Sequence, residues 1–215
     1  NPGAAEAATP AAAAVELLHN FSLIHDDIED GDTLRRGRPT LWKVWGIAQS
    51  INTGDAMFAM AHQALLQSMA PADRRLRAMY VFEAMCVALT RGQYLDISFE
   101  QRRDVTTTEY LEMIAGKTAA LTEACCEIGA ILGGSDDAQT AALAHFGRAL
   151  GIAFQIQDDA LGIWGDPART GKADSDLAHR KKTYPALMAA ERDPDFRARY
   201  FGGSDANRDL AALRR

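Results

Sequence analysis

Two groups of aspartates are the residues in this sequence that most clearly could take part in chemistry. Asp26, Asp27 and Asp30 follow one apolar run. Asp158 and Asp159 follow another. At about 100° per residue the first three share one arc of a helix, where carboxylates that nothing neutralises repel one another. Both groups are made of carboxylates, whose oxygen donors are the ligand chemistry of a hard cation, so the sequence predicts a Mg²⁺ site.

Basic residues accompany both groups. Arg35 and Arg36 follow the first group in the segment that ends its helix, close enough to meet an anion that a metal also holds. Only five lysines occur in the sequence, and four of them lie in its second half: Lys117, Lys172, Lys181 and Lys182. Carboxylates, Mg²⁺ and surrounding bases together fit a substrate that carries a pyrophosphate group.

The elements that must position these side chains are predicted to be helices only. Thr9 as an N-cap before Pro10 predicts a helix that runs to about Asp30. A capping box at Thr106 predicts a helix that stops at Gly133. Further helices are predicted over residues 55–70, 71–99 and 137–164. No alternating pattern typical of a strand occurs, so the predicted fold class is all-α, with residues 1–215 forming a single domain of helices packed on helices.

Composition and charge exclude several classes of protein. A formal net charge of -6 lacks the basic footprint of a nucleic-acid-binding protein. Three cysteines, an odd number, indicate reduced thiols and a cytoplasmic protein rather than a disulfide framework. No apolar run approaches the roughly 18 residues of a membrane span, and the first residues do not form a signal peptide. We therefore expect neither a nucleic-acid partner nor stable membrane insertion.

An ordered series of motifs resembles the trans-polyprenyl diphosphate synthases, which include the farnesyl and geranylgeranyl diphosphate synthases. The resemblance extends from about Ala11 to Leu187. It rests on residues 21–30 (FSLIHDDIED) and 34–40 (LRRGRPT) for a first aspartate-rich motif, on 154–159 (FQIQDD), 161–166 (LGIWGD), 170–172 (TGK) and 181–183 (KKT) for a second, and on 92–96 (GQYLD) and 116–118 (GKT) between them.

This resemblance implies a fold, a reaction and a set of metal ligands. The fold would be a helical bundle of the isoprenoid synthase type around a deep central cavity, in a homodimer. The reaction would be the head-to-tail condensation of isopentenyl diphosphate with an allylic diphosphate. Carried over by position, Asp26 and Asp30 would bind Mg²⁺ from one side, with Asp27 supporting them. Asp158 would bind Mg²⁺ from the other, with Asp159 beside it in the same metal site.

The resemblance also assigns roles to seven polar residues. These roles are binding of the allylic diphosphate for Arg35, Lys117 and Lys172, contact with isopentenyl diphosphate for Arg36, stabilisation of the leaving group for Lys182, and stabilisation of the allylic cation for Thr118 and Gln155. In this family the residues just before the first motif set the product length. Phe21 followed by the small Ser22 resembles enzymes that make C15 to C20 products.

Three departures from the family pattern bear on these expectations: one in the second motif, one upstream of the first motif, and one at the end, where the sequence stops earlier than family members do. Gly162 stands where the fullest form of the second motif has a third aspartate. A Gly-Gly-Lys-x-x-Arg-Pro segment, which belongs to the isopentenyl diphosphate site, is absent upstream of the first motif, and the sequence begins without methionine. We therefore expect either that the sequence lacks N- and C-terminal segments or that its second-substrate site is degenerate. The alternative functions are a class I terpene cyclase and a non-catalytic subunit of a heteromeric prenyl synthase.

Overall fold

Helices dominate the architecture, and the fold class is all-α as predicted. The computed structural model describes residues 2–165 and 180–202. In chain order its helices are α1 (Pro2–Glu29), α2 (Leu41–Trp45), α3 (Ile47–Leu66), α4 (Ala72–Glu100), α5 (Thr107–Ile114), a π-helix (Ala115–Ala119), α6 (Ala120–Gly133), α7 (Asp137–Trp164), α8 (Tyr184–Arg192) and α9 (Pro194–Phe201). Within the described residues, no helix combines the length and apolar character needed to cross a membrane.

The start of α1 differs from its prediction. Thr9 is not an N-cap, because its hydroxyl donates to the carbonyl of Ala5 one turn earlier (2.9 Å) and the helix already begins at Pro2. Pro10 lies inside the helix. The preceding segment is rich in alanine, the residue with the highest helix propensity, and this extends α1 past the position where proline would otherwise mark a beginning.

Other helix boundaries divide into confirmed and wrong predictions. The capping box is confirmed, since the Thr106 hydroxyl accepts from the Glu109 N–H and the Glu109 carboxylate accepts from the Thr106 N–H (2.9 Å). The range of α7 is also confirmed. The predicted start near Asp55 is wrong, because α3 begins at Ile47, directly after Gly46 at a φ of 84°. The end of the helix predicted from Thr106 is confirmed at Gly133, but a π-helical turn at Ala115–Ala119, which was not predicted, divides it into α5 and α6.

A short hairpin contradicts the prediction of helices only. Strand β1 (Leu34–Arg35) pairs antiparallel with β2 (Arg38–Pro39), so that Leu34 opposes Pro39 and Arg35 opposes Arg38. The two turn residues, Arg36 and Gly37, have φ angles of 52° and 75°. Positive φ at both positions is the geometry that closes a two-residue hairpin. The strands of the hairpin are too short to show an alternating pattern, so the hairpin was not predicted from the sequence.

The chain divides into two units. The first comprises residues 1–84 and 124–144, and the second comprises 85–123 and 145–215. In the first unit α1 packs on α3 and buries one face at Ala7, Ala11, Ala14 and Leu18. This spacing of four, three and four residues places all four side chains on one stripe of the helix.

The second unit has its own apolar core. Its buried members are Phe99, Val105, Tyr110, Met113, Ile114, Ile163, Ala186, Leu187, Ala190, Tyr200 and Phe201. Helix α8 packs against α5 and α9. The rings of Phe196 and Tyr200 stack with their centroids 5.3 Å apart. Tyr110 brings a hydroxyl into the core, which requires a buried hydrogen-bond partner.

Candidate active site

The first aspartate group lies at the carboxyl end of α1. From β1, Arg35 donates through Nε to Asp27 Oδ1 (2.6 Å) and through Nη2 to Asp26 Oδ2 (3.2 Å). Asp27 is buried at 4% exposure, Asp26 is partly exposed and Asp30 is exposed. One guanidinium therefore bridges two adjacent carboxylates and relieves the repulsion that their spacing predicts.

Burial has the largest effect on the electrostatics of Asp27. It raises the pKa of the carboxyl above its usual value, Arg35 offsets part of this rise, and Asp26 and Asp32 add to it. Burial would by itself lower the pKa of Arg35, but the hydrogen bond and charge of Asp27 outweigh it and raise that pKa. The guanidinium therefore stays protonated beside a carboxyl that burial makes harder to ionise.

The hairpin gives Arg35 and Arg36 different surroundings. Arg35 lies in β1 with its side chain on the aspartates, whereas Arg36 lies in the turn and is exposed. The structure thus brings Arg35 to the first group and leaves Arg36 at the surface.

Phe21 and Ser22 lie on α1 just before the first group. The Phe21 ring packs against Phe58 of α3, with centroids 5.1 Å apart, and meets the edge of His25 at 4.7 Å. The Ser22 hydroxyl donates to the carbonyl of His19 (2.8 Å). Phe21 is therefore held between two helices rather than surrounded by solvent.

The second aspartate group lies near the end of α7, and its two members differ. Asp158 is partly exposed, whereas Asp159 is buried at 6% exposure. At Oδ2 the carboxylate of Asp159 accepts from the Tyr110 hydroxyl and from the main-chain N–H of Tyr184 (2.7 Å), and at Oδ1 it accepts from Gln155 Nε2 (3.2 Å). These donors compensate for the loss of water around a buried carboxylate.

Tyr110 keeps its proton in this arrangement. It is 2% exposed, and burial raises the pKa of its hydroxyl far above the usual value. The charge and hydrogen bond of Asp159 raise this pKa further, as do the charges of Asp96 and Asp158. The phenol therefore serves as a hydrogen-bond donor to the carboxylate.

Gln155 connects Asp159 with Thr118. The Thr118 hydroxyl donates to Gln155 Oε1 (2.8 Å), while Gln155 Nε2 donates to Asp159. Because the two ends of the amide have different partners, its orientation is determined. The structure thus brings together the two residues to which the resemblance assigns stabilisation of a cation.

Lys117 lies in the π-helix, and its ammonium donates to Asp96 Oδ2 on α4. Two glycines permit the close approach of these segments. A Cβ on Gly92 would lie 2.0 Å from the main-chain N of Lys117, and one on Gly116 would lie 2.8 Å from the Ala88 carbonyl oxygen. Single π-helical turns occur frequently at functional sites.

Lys182 is half-buried just before α8. Its ammonium donates to the carbonyl oxygen of Glu100. Burial lowers the pKa of Lys182, although the charges of Glu100 and Asp96 act in the opposite direction. Lys172, which the sequence also marks as a candidate, lies outside the described residues.

Tyr110, Asp96 and the main-chain N–H of Tyr184 were not predicted as members of the site. Asp96 stands between the apolar residues Leu95 and Ile97, and this interruption was a usable signal. Tyr110 offered none, because a tyrosine among apolar residues is an ordinary core residue.

The donor chemistry of each aspartate group fits Mg²⁺. Asp26 and Asp158 each present a partly exposed carboxylate, and Asp30 adds an exposed one. Their neighbours Asp27 and Asp159 are buried and already hold hydrogen-bond donors. Magnesium takes oxygen ligands and retains several waters, so one or two accessible carboxylates per group meet its needs.

Comparisons with known proteins agree with these observations. A family model described as "Polyprenyl synthetase" matches residues 1–209. The chain is 47% identical over 207 residues to the geranylgeranyl diphosphate synthase of Mycobacterium tuberculosis. The aligned residues cover 96% of this chain and 56% of that relative. The chain thus spans little more than half the length of this curated relative.

Solved structures of other proteins share the fold, and two of them illustrate the likeness. The geranylgeranyl pyrophosphate synthetase of Pyrococcus horikoshii superposes with a TM-score of 0.90 at 38% identity, covering 96% of this chain and 64% of that one. The geranylgeranyl pyrophosphate synthase of Corynebacterium glutamicum, solved with isoprenyl diphosphate and magnesium, gives a TM-score of 0.83 at 31% identity and covers 97% of this chain and 66% of that one.

Proposed function

The chain belongs to the polyprenyl synthetase family, and from this premise we propose that the protein condenses isopentenyl diphosphate head-to-tail with an allylic diphosphate, using Mg²⁺. One observation carries the proposal. Each of two aspartate motifs presents a partly exposed carboxylate beside a buried one that accepts hydrogen bonds. This asymmetry provides metal ligands with fixed supports, as an enzyme that ionises a diphosphate substrate requires.

The proposed metal ligands are Asp26, Asp30 and Asp158. Asp27 and Asp159 would each support the metal ligand beside them in their own aspartate group, by orienting its carboxylate. When bound, Mg²⁺ would supply Lewis-acid chemistry, which neutralises charge on the diphosphate. The magnesium reported with the Corynebacterium glutamicum enzyme supports this choice of metal.

Basic side chains would hold the diphosphates. Arg35, Lys117 and Lys182 have hydrogen bonds to oxygen atoms in the structure, which limit their freedom before substrate arrives. Lys172, outside the described residues, is proposed to bind the same allylic diphosphate on resemblance alone. The exposed Arg36 is proposed to contact isopentenyl diphosphate.

The reaction would proceed by ionisation, addition and proton loss. The allylic carbon–oxygen bond breaks, and the diphosphate leaves with the electron pair. Because the Thr118 hydroxyl gives its hydrogen to Gln155, its oxygen lone pairs remain available to the allylic cation. The double bond of isopentenyl diphosphate then forms the new carbon–carbon bond, and a proton passes to the released diphosphate.

The proposed product is a C15 to C20 polyprenyl diphosphate. The ring of Phe21, held against Phe58, supports a limit on chain length next to the first motif. The names of relatives that make geranylgeranyl diphosphate support the same range. We also propose a homodimer, on the family resemblance, and a cytoplasmic location, in which the three cysteines, which form no disulfide in the described residues, stay reduced.

Incubation with labelled isopentenyl diphosphate tests the proposal. The full-length protein is given Mg²⁺ and, in turn, dimethylallyl, geranyl and farnesyl diphosphate, and the products are separated by chain length. We expect labelled C15 to C20 diphosphates. Asp26→Asn and Asp158→Asn should each lower the rate by roughly 100-fold or more. Asp73→Asn, at an exposed carboxylate in the first turn of α4, is the control and should retain activity.

Other products would contradict the proposal. Hydrocarbon from the allylic substrate alone would indicate a terpene cyclase, and silence would indicate a non-catalytic subunit. Chains well beyond C20 would contradict the proposed product length but not the reaction.

A further inference from the structure

The carboxylate of Asp159 is a junction between three segments. Its donors come from α5 (Tyr110), from the first residue of α8 (Tyr184) and from α7 itself (Gln155). The Tyr184 N–H belongs to the main chain and survives any side-chain substitution. Gln155 also bonds to Thr118, so its loss would disturb more than one contact. Among these three donors, the Tyr110 hydroxyl is therefore the one whose removal affects Asp159 most selectively.

Two consequences follow for residues of the proposed site. With Asp159 held at Oδ2 by Tyr110 and Tyr184, its Oδ1 accepts from Gln155 Nε2, and the Gln155 Oε1 accepts from Thr118. Asp158 precedes Asp159 on the same helix, so a firm hold on Asp159 limits rotation of this turn of α7 and the direction in which Asp158 points. Disturbing one buried hydrogen bond to Asp159 should therefore alter the orientation of Gln155 and that of Asp158.

We propose that Tyr110 is a positioning residue, which holds Asp159 and through it orients Asp158 and Gln155. This inference rests on the proposed function, because it concerns the same site. At 2% exposure Tyr110 lies within the core of the second unit and acts through the carboxylate that it contacts. Residues that orient metal ligands from behind typically change metal affinity or activity by roughly 10- to 100-fold when replaced.

The test compares Tyr110→Phe with Tyr200→Phe in the full-length protein. Each variant loses one hydroxyl from a tyrosine that is almost fully buried in the same core. Tyr200 donates to the main-chain carbonyl of Lys181 (3.1 Å). We expect Tyr110→Phe to lower kcat by roughly tenfold and to raise the half-saturating Mg²⁺ concentration, with little change in KM for isopentenyl diphosphate. Tyr200→Phe should leave all three near wild type.

A second readout does not require turnover. Mg²⁺ with inorganic pyrophosphate should raise the unfolding temperature of the wild type and of Tyr200→Phe more than that of Tyr110→Phe. If Tyr110 acts through Asp159, adding Tyr110→Phe to Asp159→Asn should lower kcat by less than about twofold beyond Asp159→Asn alone. Circular dichroism confirms that each variant is folded before these comparisons.

The outcomes separate this inference from the proposed function. An active wild type, with Tyr110→Phe equal to Tyr200→Phe in kcat, Mg²⁺ dependence and thermal shift, would overturn the role of Tyr110 alone. A wild type without turnover contradicts the proposed function, and the thermal shift then decides the inference. If Tyr110→Phe does not fold, the Asp159→Asn variant with an unchanged response to Mg²⁺ and pyrophosphate would overturn it.

Discussion

Asp27 and Asp159 occupy equivalent places in the two aspartate motifs. Each follows a partly exposed aspartate and is itself buried, at 4% and 6% exposure. Their donors differ in kind. Asp27 is held by the charged guanidinium of Arg35, on a hairpin at the surface, whereas Asp159 is held by a phenol, an amide and a main-chain N–H.

The first aspartate group therefore depends mainly on a matching charge, and the second depends mainly on the packing of the segments around it. At Asp27 a cation balances the carboxylate, and the same cation is positioned to meet an incoming anion. At Asp159 the phenol, the amide and the main-chain N–H are neutral dipoles that help to stabilise the carboxylate, and Tyr110 among them belongs to the apolar core. We expect the first region to be sensitive to loss of one charge and the second to be sensitive to distortion of its packing.

The largest expected effect comes from Gly92→Ala in the second region. A Cβ there would lie 2.0 Å from the main-chain N of Lys117, and a main chain inside a packed unit cannot move aside. We expect a loss of about 3 kcal/mol in the free energy of unfolding, measured with urea.

Gly54→Ala is the matched change in the first region. Its Cβ would lie 2.3 Å from Nε2 of the His25 side chain, and this ring can turn away. The loss should stay within about 1 kcal/mol. Equal losses at the two glycines would contradict the view that the second region depends more on packing.

A smaller effect is expected from Arg35→Met in the first region. It leaves the buried carboxylate of Asp27 without its cation, and we expect a loss of about 2 kcal/mol in the free energy of unfolding. Arg38→Met, at an exposed arginine of the same hairpin, is the control and should change stability by less than about 0.5 kcal/mol. Adding Asp27→Asn to Arg35→Met should recover part of the loss, and no recovery would count against charge matching.

The smallest expected effect is a dependence of stability on pH. Since burial raises the pKa of Asp27 above an unfolded value of about 3.9, the folded chain binds this proton more tightly than the unfolded chain. The stability from this group is present below the unfolded pKa and is lost as pH rises through the folded pKa. Urea unfolding with EDTA should show the stability of wild type relative to Asp27→Asn falling as pH rises above about 4. A rise of this relative stability with pH would show that the effect of Arg35 on the pKa of Asp27 outweighs the effect of burial.

Local rules predicted the parts of the fold that depend on neighbours in sequence. The capping box at Thr106 and the whole range of α7 are confirmed. Thr9 failed as a cap because the alanines before Pro10 continue the helix. The hairpin at Arg36 escaped prediction because two-residue strands carry no periodic signal.

The candidate site divides in the same way. Asp26 and Asp158 stand out in the sequence because carboxylates at the end of apolar runs are unusual there. The contact of Tyr110 with Asp159 joins residues 49 positions apart, and the sequence around neither residue predicts it. The π-helix at Lys117 likewise coincides with a close approach of Gly92, on another helix.

The sequence by itself determined the all-α class, the two aspartate motifs and the oxygen chemistry that fits Mg²⁺, because residue type and helical spacing are local properties. The tertiary structure decided which aspartate of each pair is buried and which groups hold it. Burial and hydrogen bonding depend on segments that meet only when the chain folds. That is why Arg35 at Asp27 and Tyr110 at Asp159, each in an equivalent place, are chemically so different.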